Sequence, residues 1–228
     1  MKTTIDTNIF LYATISKKCA IKVSETYKKG SYNIILRSVN EETKPKLQFL
    51  FTVLTILRYE AERTRNALKL IDSDFYDTLK NKYPQIYKAI RNYVVKNKIN
   101  SKKKTGRFIE VLDFILNDIR FLVKIISDAK RAYPVTEEKY KRIKNSKIFK
   151  SCIDSLKEII KKNDMDRIHI GLCNHYLFEN LKYTDKLVFI TIDKNDFIKH
   201  NNKEKIEKII KNLIIDTLPS LDVENIIL

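Results

Sequence analysis

Two aspartates directly follow short apolar runs that are typical of buried strands. Asp6 comes after Thr3-Thr4-Ile5, and Asp193 comes after the uninterrupted apolar run Leu187–Ile192. In an open α/β sheet, ligands bind beyond the carboxyl ends of the strands. The two carboxylates are therefore expected to project into one crevice.

Two further acidic residues are expected at the same crevice. Asp166 lies in the first turn of a helix predicted over Asp164–Leu181, and Glu60 lies early in a helix that follows a predicted strand near residues 47–53. Four carboxylates in one crevice repel one another unless a cation lies among them. Oxygen ligands of this kind suit Mg²⁺ or Mn²⁺. The sequence thus predicts a carboxylate metal site.

The three aspartates also have ordinary structural interpretations. Asp6 begins Asp-Thr-Asn, which suits a turn, and Asp193 begins a similar polar run, Asp-Lys-Asn-Asp. Asp166 is close enough to the helix start to act only as an N-cap, as are Asn163 and Asp164. The residue types alone leave both interpretations open for each position.

The assignment of the site glutamate is also open between Glu60 and Glu62. Glu60 has Arg63 within ion-pairing reach on a helix, and in that case Glu62 is the inward-facing glutamate. What favours a site is the order of the four acidic residues, taken together with their places at strand and helix ends.

Strand-like and helix-like segments alternate along the chain. Strands are predicted near residues 3–5, 31–39, 47–53 and 187–192, and helices near 54–71, 107–133, 164–181 and 204–215. This alternation predicts an α/β fold, a three-layer sandwich around a mainly parallel sheet. We expect a single domain over residues 1–228, with a helical elaboration over about 70–160.

The chain is strongly basic. It has 45 lysines and arginines against 28 aspartates and glutamates, a net charge of +17. Such a surplus favours nucleic acid or an anionic membrane surface as a partner. The lysine-rich composition of an AT-rich genome is an alternative source of the same charge. No apolar run approaches a membrane span and no cationic leader is evident, which predicts a soluble cytoplasmic protein without membrane contact.

Several other kinds of site are poorly supported. Three dispersed glycines cannot form a dinucleotide-binding loop, and the three cysteines are far apart, with no C-x-x-C motif. His169 and His175 are six residues apart, which does not place them on one helix face for zinc. Asn8 stands where an aspartyl phosphatase has the second aspartate of D-x-D.

Four segments together resemble the acidic signatures of the PIN-domain nucleases. They are TTIDTNIFL, TVLTILRYEAER, DMDRIHIGLCNHY and VFITIDKNDF, and they cover less than about a third of the chain. By this match, the metal-binding positions are Asp6, Glu60, Asp166 and Asp193. The supporting positions are Asn8, Thr191 and Asp196, and Asp196 also counts with the metal site.

The resemblance implies a Mg²⁺- or Mn²⁺-dependent ribonuclease, an endoribonuclease acting on single-stranded RNA. Basic residues beside the crevice would then hold the substrate backbone. The candidates are Arg58, Arg63 and Arg65 near Glu60, and Lys102, Lys103 and Lys104 in a lysine-rich segment, Lys96–Arg107, predicted as an exposed loop. Further expected partners are an antitoxin or an RNA-processing factor, and a second copy in a homodimer. The alternative function is a non-catalytic RNA- or protein-binding module on a PIN scaffold.

Overall fold

The architecture is mostly helical. The structure, a computed structural model, describes residues 2–70, 74–161, 163–180, 186–193, 197, 201–213 and 220–225. The helices are α1 (Thr7–Tyr12), α2 (Lys17–Thr26), α3 (Arg37–Thr64), α4 (Asp74–Lys82), α5 (Pro84–Lys96), α6 (Lys102–Ile126), α7 (Glu137–Asn145), α8 (Lys147–Leu156), α9 (Asp164–Glu179) and α10 (Asn202–Leu213). Short 3₁₀ turns follow α3 and α6, at Ala67–Leu70 and Ala129–Arg131.

The strands form two small parallel sheets. They are β1 (Lys2–Ile5), β2 (Ile35–Leu36), β3 (Ala132–Tyr133), β4 (Lys186–Thr191) and β5 (Ser220–Asn225). One sheet has the order β1-β4-β5, and β2 pairs with β3 in the other. Ile5 pairs with Ile190, so β1 and β4 end at the same edge, as their sequences predicted.

The predicted three-layer sandwich around a mainly parallel sheet is wrong. Helices form most of the structure, and the described strands make only the two small sheets. The predicted strand at 31–39 shrinks to Ile35–Leu36, and α3 begins at the next residue. The described residues between 70 and 160 are mostly helical, and α6 packs along α3.

The predicted strand at 47–53 is wrong because those residues lie inside α3. Pro45 lacks the N–H that would bond to the carbonyl four residues earlier, and prolines usually end helices, but here the helix continues through it. The apolar run after Pro45 hides the helical period because α3 is covered on several sides, by α1, α6 and α9. Its buried positions nevertheless recur every three or four residues: Val39, Thr43, Leu47, Leu50, Leu54, Leu57 and Ala61.

Helix α9 is central to the fold. Its residues 169–177 are all buried, because β2, β4, α3 and α8 pack around it. Gly171 makes the close approach of α8 possible, since a Cβ atom there would lie 2.8 Å from the Phe149 ring. This burial carries the first turn of α9, and with it Asp166, to the edge where β1 and β4 end.

None of the helices in the described segments is both long enough and apolar enough to cross a membrane.

Candidate metal centre

Asp6 is the innermost carboxylate of the site. It lies between β1 and α1, and its backbone N–H donates to the carbonyl of Ile190 at 2.8 Å. Its side chain makes no capping hydrogen bond to α1, although the residue occupies the N-cap position. One carboxylate oxygen, Oδ2, accepts from the hydroxyl of Thr191 at 2.9 Å. The other, Oδ1, is buried and has no hydrogen-bond partner among the described residues.

The burial of Asp6 is electrostatically unfavourable as the protein stands. Only 1% of the residue is exposed, and burial raises the pKa of its carboxyl group. A buried polar atom without a partner costs about 1–3 kcal/mol. A cation at Oδ1 would remove both penalties.

Asp166 reaches the same place from α9. Asn163 is the N-cap of that helix, since its side chain accepts from the Met165 N–H at 3.1 Å. Asp164 is exposed and pairs with Arg167. Asp166 is therefore not needed as the cap, and it is almost fully buried. Its carboxylate lies close to Asp6 and His169.

Asp6, Asp166 and His169 offer ligand atoms that all lie within 4.8 Å of one another. The histidine is fully buried, with Nδ1 2.7 Å from the Ser38 hydroxyl and Nε2 3.1 Å from Oε2 of Glu42. Both ring nitrogens are thus engaged by protein groups.

Glu42 decides which atoms of this group can bind a metal. Burial alone would raise its pKa, but hydrogen bonds from His169, Lys46 and Thr7 and the charge of Lys46 lower it to about 2. An ionised carboxylate only accepts hydrogen bonds, so His169 must donate through Nε2. That nitrogen then has no lone pair for a metal, and the available ligands are carboxylate oxygens.

The environment of Glu42 is a closed network on α1 and α3. Its Oε2 also accepts from the Thr7 hydroxyl at 2.8 Å, and its Oε1 accepts from Lys46 Nζ at 2.6 Å. Thr43 donates in turn to Thr7 at 3.2 Å. Sequence reasoning missed Glu42 because the polar run around it suggested a break between elements. The signal that could have found it is the helical spacing of buried residues on both sides of that run.

Thr191 connects Asp6 to Asp193. Its hydroxyl donates to Asp6 and accepts from the Asp193 backbone N–H at 3.0 Å. Asp193 is half-buried and follows β4 at the same sheet edge as Asp6. The structure therefore brings Asp6, Asp166, Thr191 and Asp193 to one edge. Asp196 lies outside the described residues.

Glu60 is not at this edge. It lies 18 residues after Glu42 on the same helix, which is about 27 Å along the axis at 1.5 Å per residue. Its carboxylate pairs with Arg63 at 2.7 Å, and Glu62 is exposed and pairs with Arg58. These are the ordinary structural roles that the sequence left open for the two glutamates.

The candidate RNA-binding residues also cluster away from Asp6. Arg58 pairs with Asp113 of α6 at 2.6 Å, and Asn40 donates to the Ile126 carbonyl, so α6 runs antiparallel to α3. The basic residues at the far end of this helix pair, near Glu60, are Arg58, Arg63, Arg65, Lys102, Lys103 and Lys104. Lys102 begins α6, so the predicted loop Lys96–Arg107 is helical from that residue onward.

Asn8 lies on α1 beside the site but faces a neighbouring cavity, whereas Thr7 faces Glu42. The donor set as a whole suits a hard divalent cation such as Mg²⁺ or Mn²⁺, because it consists of carboxylate oxygens and includes a buried oxygen that lacks a partner. Comparisons of the chain with protein-family models, with curated proteins and with solved structures gave no match.

Proposed function

We propose that the protein is a Mg²⁺- or Mn²⁺-dependent ribonuclease, with Asp6 and Asp166 as the central metal ligands and Asp193 beside them. The observation that carries the proposal is Oδ1 of Asp6, a buried carboxylate oxygen without a partner among the described residues, in a group in which Asp6 and Asp166 offer oxygens within 4.8 Å of each other. The resemblance of the surrounding segments to PIN-domain nucleases supports the same function.

The metal would supply two things when bound, activation of a water molecule and neutralisation of negative charge on the scissile phosphate. The protein's own residues prepare the site for it. Thr191 fixes the rotation of the Asp6 carboxylate through its hydrogen bond to Oδ2, which leaves Oδ1 directed at the cluster. Groups that orient metal ligands in this way usually matter nearly as much as the ligands themselves.

His169 and Glu42 would line the site on the Oδ1 side of Asp6, whereas Thr191 contacts Oδ2. The Nε2 of His169 lies 4.0 Å from Oδ1 of Asp6, and its N–H is committed to Glu42. The pair keeps a donor close to the Asp6 carboxylate without filling the metal position. Lys46 offsets the charge of Glu42, so the network adds no net negative charge beside the ligands.

RNA as the substrate is supported by charge. A net charge of +17 attracts a polyanion at long range, while the acidic crevice itself would be occupied by metal. The combination of an acidic pocket and a basic molecule suits phosphodiester binding better than it suits a small acidic substrate.

The test is cleavage of a labelled single-stranded RNA by the purified protein with Mg²⁺, with Mn²⁺ and with EDTA. We expect cleavage with metal only. Asp6→Asn, Asp166→Asn and Asp193→Asn should each lower the rate by more than the roughly 10- to 100-fold typical of losing an outer partner of a metal ligand. The Asn variants should remain folded, because each removes a crowded carboxylate.

Glu60→Gln is the matched control. It makes the same chemical change about 27 Å along α3 from Glu42 and should retain wild-type cleavage. Cleavage that persists in Asp6→Asn, or that depends on Glu60, would contradict this site. RNA binding without cleavage under any metal would favour the non-catalytic module.

A further inference from the structure

A cavity of about 410 Å³ adjoins the acidic site. Its wall includes Asn8 and Lys46, and both of these touch or neighbour the site residues. Lys46 donates to Glu42, and Asn8 follows Thr7, which donates to the same glutamate. A ligand in this cavity would therefore lie on the Glu42 side of the acidic site.

Two lysines line the cavity, Lys46 paired with Glu42 and Lys82 at its exposed side. Lys46 lies on the side nearest the acidic site, where its bond to Glu42 fixes its position. Lys82, at the end of α4, lies on another part of the wall and is exposed. Its Nζ stands 4.3 Å from the centre of the Phe49 ring, which also packs against Tyr83 of the cavity wall. Lysine pairs with phosphate oxygens as a point charge, without requiring a particular base.

The cavity also has aromatic walls. Tyr12 of α1 and Tyr83, between α4 and α5, both line it and are both half-buried. The Tyr83 ring packs against Phe49, with ring centres 5.9 Å apart and planes tilted by 41°. A base can stack on a tyrosine face whatever its identity, because every base has a π-face.

We propose that this cavity binds one nucleotide of a single-stranded RNA, next to the phosphodiester bond held at Asp6 and Asp166. The base lies against Tyr83 or Tyr12, and Lys46 and Lys82 contact the backbone phosphates. The size of the cavity falls within the usual range for small-ligand pockets, about 300–1,000 Å³. This inference rests on the proposed nuclease function, since it describes the substrate path to that site.

A second, larger cavity lies away from the acidic site, although Lys17, Arg107 and Tyr93 are also in its wall. It has a volume of about 990 Å³ and lies between α2, α5 and α6, where Ile90, Phe108 and Phe114 line it. No residue of the acidic site is in its wall. The smaller cavity is therefore the one placed to receive the chain that the acidic site would cut.

The test measures binding of a fluorescent eight-nucleotide single-stranded RNA to the full chain in EDTA, so that no cleavage occurs. Tyr83→Leu keeps an apolar side chain against Phe49 but removes the stacking face. We expect it to weaken binding by at least about fivefold, the lower end of what one base stack contributes. Tyr83→Phe should bind like the wild type, because the ring face is retained.

Charge is tested with Lys82→Ala. This change should reduce the slope of log affinity against log salt concentration by about 0.7, the contribution of one phosphate contact on a single strand. The controls are Tyr59→Leu, an exposed tyrosine on α3, and Lys29→Ala, an exposed lysine after α2; neither residue lines the cavity. Affinity for Mn²⁺, measured by calorimetry, should be the same in all of these variants.

The outcomes separate the two proposals. Wild-type affinity in Tyr83→Leu together with an unchanged salt slope in Lys82→Ala would overturn the nucleotide cavity, even if Asp6-dependent cleavage is observed. Conversely, weaker binding in Tyr83→Leu with no metal-dependent cleavage by the wild type would retain the cavity and overturn the nuclease.

Discussion

The hydroxyl of Thr191 has two partners, and each lies at a strand end. It donates to Oδ2 of Asp6 and accepts from the N–H of Asp193, so it joins β1 to the residues that follow β4. Threonine can do this because its hydroxyl is both donor and acceptor.

Thr191→Val removes these two hydrogen bonds and keeps the branched shape of the side chain. We expect Mn²⁺ affinity to fall by about 10- to 100-fold, because Asp6 loses the group that orients it. The cost in unfolding free energy should be about 1–3 kcal/mol, from the loss of buried hydrogen bonds. Isothermal calorimetry and urea unfolding measure the two effects.

Thr105→Val is the control for this substitution. Thr105 is buried in α6, and its hydroxyl has no hydrogen-bond partner among the described residues. Removing that hydroxyl should preserve stability or increase it and leave Mn²⁺ affinity unchanged. If Thr191→Val bound Mn²⁺ like the wild type, the proposed role of Thr191 in orienting Asp6 would be wrong.

At the level of helices, the contact between α8 and α9 fixes where Asp166 lies. A Cβ atom at Gly171 would stand 2.8 Å from one carbon of the Phe149 ring and 3.0 Å from the end of Ile153. Phe149 is buried and cannot swing away freely. The two helices can be this close only because residue 171 has no side chain.

Gly171→Ala should destabilise the protein. Overpacking costs roughly 1–3 kcal/mol, against a gain in helix propensity of about 1 kcal/mol. Gly106→Ala, in an exposed part of α6 with no atom within 4 Å of the added Cβ, has only the gain. Thermal unfolding should therefore give a melting temperature at least about 2 °C lower for Gly171→Ala than for Gly106→Ala. Equal melting temperatures would mean that α8 can move away from α9 at no cost.

Local sequence predicts the elements of this site where one signal dominates. Strands β1 and β4 are short, continuous apolar runs followed by an aspartate, and α9 begins with a clear cap, Asn163. These features were enough to place Asp6, Asp166 and Asp193 at one edge. The resemblance to PIN-domain nucleases also predicts Thr191 as a supporting residue, and its hydroxyl lies against Asp6.

Glu42 could not be found in this way because its place depends on long-range packing. Helix α3 continues through Pro45, against the usual preference of proline, since α1, α6 and α9 bury the turns on both sides of it. Once the helix is assumed to begin after residue 53, Glu60 is the natural acidic candidate. Helix α3 begins about four turns earlier, at Arg37, and the glutamate beside the site is therefore Glu42.

Across the whole molecule, the site joins segments far apart in the chain, and a metal bound there would hold them together. A ligand that binds only the folded state stabilises it by about 2.7 kcal/mol at one hundred times its dissociation constant. For a chain of this length, Mn²⁺ at that concentration should raise the melting temperature by roughly 5–11 °C.

Two kinds of control apply to this rise in melting temperature: a salt at matched ionic strength, and carboxylate substitutions inside and outside the site. KCl at matched ionic strength should not reproduce it, and Glu60→Gln should show it in full. Asp6→Asn should show none, because an uncharged amide replaces the carboxylate and its NH₂ group takes the place of Oδ1, which has no partner among the described residues. An equal shift in Asp6→Asn would mean that Mn²⁺ acts elsewhere, for example by screening surface charge.

The hydrogen bond between Thr191 and Asp6 spans 185 residues of sequence. During translation, at about 5–20 residues per second, roughly 10–40 s pass between the synthesis of these two ends of the site. Throughout that interval the nascent chain has β1 but not the strand beside it. If the completed site cleaves RNA as proposed, the growing polypeptide cannot do so during that interval.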